Sequence, residues 1–142
     1  MPEHYRHSVS VAGVVVRDDG KILVIRRADN GQIQAPGGIL EQEEAIEAGL
    51  VREVLEETGY QVRPQRLTGV YKNMVLGVVA LVYRCELIGG SATPNSEAKE
   101  ILWLDRQEVE NSAVEAFSVR ITDALDGDWP AVRSHDGTKL VS

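Results

Sequence analysis

Seven glutamates crowd one short stretch of this chain: Glu41, Glu43, Glu44, Glu47, Glu53, Glu56 and Glu57, with Arg52 as the one base among them. An α-helix turns about 100° per residue, so Glu53, Glu56 and Glu57 fall within an arc of about 100°. Like charges at these spacings destabilise a helix by roughly 0.2–0.5 kcal/mol per pair. Something must therefore compensate them. Leu50 lies about 60° from Glu53, which places the acids at the border of a packed face and partly out of water. Several carboxylate oxygens at short range suit a hard divalent cation. Mg²⁺ is the common one, and it typically bridges protein carboxylates to substrate phosphates. A water activated in such a site could attack phosphorus. The plain alternative is a solvated acidic face that keeps the protein soluble, and it is the stronger reading for Glu41, Glu43 and Glu47.

These acids need a helix to gather them, and the sequence supplies one. From about Glu43 to Thr58 there is no proline, and Gly59 stands where a helix would stop. The valine-rich run Ser8 to Arg17 reads as a strand, Asp18-Asp19-Gly20 as a turn, and Lys21 to Arg27 as the second arm of a hairpin. Ala28 to Gly38 reads as a loop. Further strands are expected over Leu67 to Asn73, Leu76 to Ile88 and Glu100 to Leu104. Two capping boxes are read, Asp105 with Glu108 and Ser112 with Glu115. They predict a short helix after Asp105 and a longer one from Ala113 to Leu125. The tail, 128–142, reads as extended. Strands interleaved with helices predict a mixed sheet covered by helices on its faces.

Composition narrows the function classes. The chain has 142 residues and a net charge of −7, with one cysteine, Cys85. That length suits a single domain, 1–142, with its own core. An acidic balance argues against a partner held by its phosphate backbone, so no nucleic-acid polymer is expected. One cysteine leaves no internal disulfide and fits a reducing compartment. The apolar stretch from Met74 to Tyr83 is about half what a membrane helix needs, and the polar N-terminus lacks the apolar core of a signal peptide. A cytoplasmic protein without a membrane partner is the expectation. Cys85 is expected to be a small buried hydrophobe, Trp103 a core residue, and His4, His7 and His135 surface residues.

The segment Gly38 to Tyr60 resembles the signature of the Nudix hydrolases, G-x5-E-x7-R-E-U-x-E-E-x-G-U, with U a bulky aliphatic. Gly38, Glu44, Arg52, Glu53, Val54, Glu56, Glu57 and Gly59 match in place, and Tyr60 departs from the final aliphatic. The resemblance implies an α+β fold, an α/β/α sandwich around a mixed sheet. It implies attack of water on a nucleoside diphosphate linked to a moiety X, giving a nucleoside monophosphate and phospho-X. It further implies that Glu53, Glu56 and Glu57, with Gly37 beside them, hold one or more Mg²⁺ ions, with Mn²⁺ as a substitute. Arg52 would orient a carboxylate through its fork of donors, and Gly38 would let the backbone turn beside the substrate. The general base would be one of the box glutamates or an acid from a later loop. Glu97 and Glu100 are the candidates there, as metal ligand or base, with Glu100 preferred from its spacing to Trp103 and Glu97 kept as a further metal ligand.

Substrate contacts are expected from Arg26 or Arg27, as phosphate ligands, and from Tyr71, Lys72 and Asn73, where a ring, a cation and an amide could read a base or sugar. Some ADP-ribose-type members carry a diagnostic proline downstream of the box. Here the first proline after Pro64 is Pro94, which counts against that substrate. The partner expected is a small nucleotide derivative, and the protein a monomer or homodimer. The alternative function is a non-catalytic nucleotide-sensing module on the same fold.

Overall fold

The computed structural model describes residues 3–141. The element order is β1 (Ser8–Val15), β2 (Ile22–Arg27), β3 (Ile33–Gln34), β4 (Gly37–Ile39), α1 (Ile46–Thr58), β5 (Tyr60–Asn73), β6 (Val78–Gly90), β7 (Ala98–Leu104), α2 (Arg106–Ser112), α3 (Glu115–Asp126), β8 (Ala131–His135) and β9 (Leu140–Val141). Six strands form one sheet in the order β4-β1-β6-β5-β8-β9, and three form another in the order β3-β2-β7. The larger sheet is mixed: β1 with β6 and β5 with β8 are parallel, and its other pairs are antiparallel.

Alternation along β1 builds two cores. Val11 and Val15 join Leu50 and Val54 of α1, together with Leu23, Val62 and Cys85. Ala12 and Val14 face the other way, into a cluster with Tyr71, Val82, Val109 of α2 and Ile121 and Ala124 of α3. Strand side chains alternate between faces with a period of two, so one valine-rich strand serves both layers. The expected α/β/α sandwich is the observed architecture. Cys85 is 2% exposed and sits in the α1-side core, as expected.

Several elements differ from their sequence expectation. The hairpin between β1 and β2 does not form: a lone bridge, Val16 to Ile22, joins them, and each strand continues into a different sheet. The stretch read as a loop contains β3 and β4. Gly37 pairs with Ala12 so closely that a Cβ at Gly37 would lie 2.0 Å from the Val11 carbonyl oxygen. The first helix begins at Ile46 rather than Glu43, because Glu44 is held in the preceding turn by the Glu41 amide and Arg52. It ends as expected at Gly59, whose φ of 82° suits glycine.

The capping box of Asp105 with Glu108 is present. That of Ser112 with Glu115 is not: α3 starts at Glu115 after Val114, and the Glu115 carboxylate accepts the Leu140 amide at 2.7 Å instead. That bond belongs to the tail. Residues 128–141 are extended as expected, but they add β8 and β9 to the main sheet. The span 1–142 read as one domain includes Met1, Pro2 and Ser142, which lie outside the described residues. Among the described residues no helix is long and apolar enough to cross a membrane.

Candidate active site

A cleft of about 810 Å³ runs between the β4 and α1 end of the main sheet and the outer part of α3. Its acidic end is built by α1 against β4. Glu53 and Glu57 are one turn apart on the helix and are 9% and 6% exposed. Glu57 accepts the Gly37 amide hydrogen at 2.6 Å. Glu53 lies against Gly38, where a Cβ would come within 2.3 Å of its Oε2. Both glycines are therefore required by close approach: a side chain at Gly37 would strike β1, and one at Gly38 would strike the carboxylate. Gly38→Ala is expected to push Glu53 out of place and reduce turnover about 10²-fold with the fold retained. A steady-state assay beside a circular-dichroism spectrum checks this.

Arg52 organises the acids from outside the cleft. Its Nε and Nη2 form a bidentate pair with Glu44 at 2.8 and 2.5 Å, and its Nη1 contacts Glu53 at 3.0 Å and Glu56 at 3.1 Å. One guanidinium thus touches the carboxylates of Glu44, Glu53 and Glu56. The guanidinium holds the Glu44 carboxyl down to about 2. Glu53 and Glu57 are shifted the other way. Burial raises both, opposed at Glu53 by Arg52, and Glu57 reaches about 7. The charges of Glu53 and Glu97 add to the burial of Glu57. Of these two desolvated carboxylates, Glu53 has Arg52 beside it and Glu57 has no ion-pair partner among the described residues.

Glu56 does not share this position. Its side chain is 57% exposed and turned to Arg52, and it is absent from the cleft wall. Helical winding alone placed three acids on one arc, but burial separates two from the third.

Across the cleft stand Arg27, Ala28, Asp29, Ser96 and Glu97. The Ala28 amide donates to the Glu97 carbonyl at 3.0 Å and ties these two segments together. Arg27 reaches the cleft while paired with Asp29 at 2.6 Å. Arg26 and Glu100 do not line it. They are cross-strand partners on β2 and β7, joined at 2.7 Å. The preference for Glu100 over Glu97 is corrected by this register: Glu97 precedes the strand and stays at the cleft, whereas Glu100 is inside the ladder and spent on Arg26.

Tyr71 is also corrected. It is fully buried, and its hydroxyl donates to Asp123 at 2.8 Å, so its ring cannot stack on a ligand. Lys72, on the opposite face of β5, does not line the cleft; Asn73 does. The lining residues that were missed include Phe117, Arg120 and His135. His135, expected at the surface, is completely buried. A signal existed for Arg120, since it is one turn from both Ala116 and Ala124 on the apolar stripe of α3.

Among the described residues no three acidic, histidine or cysteine side chains close around one point. Mg²⁺ does not require that. It is usually held by one or two carboxylates, with waters and substrate phosphates completing its octahedron. Buried Glu53 and Glu57, hard oxygen donors with only the Arg52 contact of Glu53 between them and opening on a cleft, fit such an ion.

This site and fold define a member of a known family. A NUDIX domain model matches residues 6–125, and the chain belongs to the Nudix family of hydrolases. It is 55% identical over 135 residues to a MutT-like protein of Streptomyces ambofaciens, covering 95% of this chain and 88% of that one. It is 33% identical over 108 residues to an ADP-ribose pyrophosphatase of Methanocaldococcus jannaschii, covering 71% of this chain and 64% of that one. The crystal structure of an ADP-ribose pyrophosphatase from Streptococcus suis shares the fold, with a TM-score of 0.77 at 21% identity over 92% of this chain and all of that one.

Proposed function

We propose that this chain is a Mg²⁺-dependent pyrophosphohydrolase. It splits a nucleoside diphosphate linked to a moiety X into a nucleoside monophosphate and phospho-X, from one domain that includes the tail strands. The observation that carries this reading is the buried, desolvated Glu53–Glu57 pair, with Arg52 on Glu53 and no ion-pair partner on Glu57 among the described residues, facing Arg27 and Glu97 across a cleft large enough for a nucleotide.

When bound, the cation neutralises the polyphosphate and stabilises charge as the anhydride breaks. Glu53 and Glu57 would hold it. Arg52 fixes Glu53 from behind, and the Gly37 amide fixes Glu57, so neither carboxylate must reorganise during the reaction. Arg27 contacts a phosphate oxygen in exchange for part of its pairing with Asp29. Glu97 takes the proton of the attacking water, whose oxygen bonds to phosphorus as the bridging P–O bond breaks.

A hydrolysis screen tests this. Nucleoside triphosphates, oxidised nucleotides, dinucleoside polyphosphates, nucleotide sugars, ADP-ribose and NADH are incubated with Mg²⁺, with Mn²⁺, and with EDTA. At least one should release a nucleoside monophosphate in a metal-dependent way. Binding without product across the whole panel would identify a sensing module and sink the proposal.

A further inference from the structure

The end of the cleft away from the acids has its own chemistry. His135 Nδ1 accepts the Gly137 amide hydrogen at 2.9 Å. A neutral imidazole carries one hydrogen, so that hydrogen is on Nε2. Yet Nε2 lies 3.2 Å from Nη2 of Arg120, which is also a donor. Two donors face each other with no acceptor between them.

Arg120 lacks a partner elsewhere too. Its Nε is shielded from solvent and has no hydrogen-bond acceptor. No carboxylate pairs with it among the described residues, and Asp123, one turn on, is shared by Arg133 and Tyr71. The rings of Phe117 and Tyr71 lie 5.1 and 5.4 Å from its guanidinium carbon. Burial pushes this guanidinium down to about 10, the mark of a cation short of compensation. Asn73 adds a third donor. Its Oδ1 is occupied by the Val75 and Leu76 amides, each at 3.0 Å, so Nδ2 is the polar group that this cleft-lining residue has left to offer.

We propose that Arg120 and Asn73, with the buried His135 against the guanidinium, form a donor-only subsite for the base of the nucleotide, selecting an acceptor-only edge such as N7 and O6 of a 6-oxopurine and refusing the 6-amino group of adenine. The inference rests on reading this cleft as a nucleotide site, and it names the substrate class. Guanine presents two adjacent acceptors on that edge, whereas adenine presents an acceptor and a donor. An adenine N6 hydrogen would meet Arg120 with no acceptor to receive it, and an unpaired buried donor costs more than a good hydrogen bond contributes. Phe117, at the cleft wall beside Arg120, supplies an aromatic surface for the base. A phosphate fits this end less well, because burial and Arg120 both lower the pKa of His135 and leave the subsite with one positive charge.

The test is calorimetric titration of the full chain with GMP and with AMP in EDTA, where neither hydrolysis nor metal takes part. GMP should bind about tenfold tighter or more, the discrimination of one good bidentate contact. Arg120→Met should bring the two within about twofold without lowering Tm, and Arg120→Lys should restore part of the difference. Asn73→Asp keeps the turn acceptor, exchanges the facing donor for an acceptor, and should also erode the preference. Equal affinity of the unaltered protein for both nucleotides, or no binding of either, overturns the proposal. So does an Arg120→Met variant that loses inorganic phosphate as strongly as GMP, which would make the subsite an anion site. Metal-dependent hydrolysis with no base preference would leave the proposed function standing and sink this inference alone. A GMP preference with no hydrolysis of any substrate would do the reverse.

Discussion

Glu53→Gln is expected to lower kcat for phosphoanhydride cleavage by roughly 10²–10³-fold while leaving Tm unchanged or raised. The glutamine keeps the shape that fills the space beside Gly38, so packing is conserved. What disappears is one negative charge, in a place where burial already disfavours it. Loss of the Arg52 contact at 3.0 Å is tolerable, because that guanidinium retains its bidentate pair with Glu44. Stability and activity should therefore separate, the sign of a residue kept for chemistry rather than for the fold. Raising Mg²⁺ should recover part of the loss if it arises from weakened ion binding. Glu56→Gln is the internal comparison. Its carboxylate is exposed and turned to Arg52, so the expected effect is far smaller. Equal losses at the two positions would show that burial does not distinguish them, and full activity of the Glu53 variant would remove the metal assignment. Parallel kcat, Mg²⁺-dependence and thermal-melt measurements decide.

The residues around this pair show what a sequence can and cannot disclose. The Nudix signature picked out Glu53, Glu57, Arg52 and Gly38, because all are local: one helix, its preceding turn and the strand it packs on. The α/β/α layering was legible for a similar reason, since alternation in β1 declares two buried faces. Long-range register was not legible. Arg26 and Arg27 are neighbours in sequence, yet the ladder with β7 commits one to Glu100 and leaves the other at the cleft. The same register decides between Glu97 and Glu100, which sequence spacing favoured wrongly. Tyr71 was misread because nothing local announces Asp123, 52 residues away, as its partner. His135 was misread because the tail was not expected to form a parallel strand beside β5, which is what buries it. The sequence signal available there was weaker, an arginine on an otherwise apolar helical stripe, and it acquires meaning only once β8 is in place.

Glu57 allows the electrostatic reading to be tested without any substrate. Burial first, then the charges of Glu53 and Glu97, raise its carboxyl from an ordinary value of 4.5 to about 7. The folded chain therefore holds this proton at pH values where the unfolded chain has released it. Where the native state binds more protons, stability falls as pH rises. In EDTA, the stabilisation associated with protonated Glu57 is full below about pH 4.5, declines through the interval to about 7, and is gone above it. The whole interval corresponds to up to about 3 kcal/mol. Glu57→Gln cannot ionise and its carbonyl can still accept the Gly37 amide, so the metal-free variant should match the unaltered protein near pH 4.5 and exceed its stability at pH 8. Mg²⁺ should reverse that order. It binds the ionised carboxylate, so it stabilises the unaltered protein by mass action, and more so as pH rises. The variant, with one ligand fewer, gains less. Denaturant titrations at several pH values, each with EDTA or with Mg²⁺, read all four combinations. Superimposable pH profiles for the two proteins in EDTA, or an equal Mg²⁺ gain in both, would mean that Glu57 is neither a strained anion nor a ligand, and the acidic end of the cleft would lose its claim to a cation.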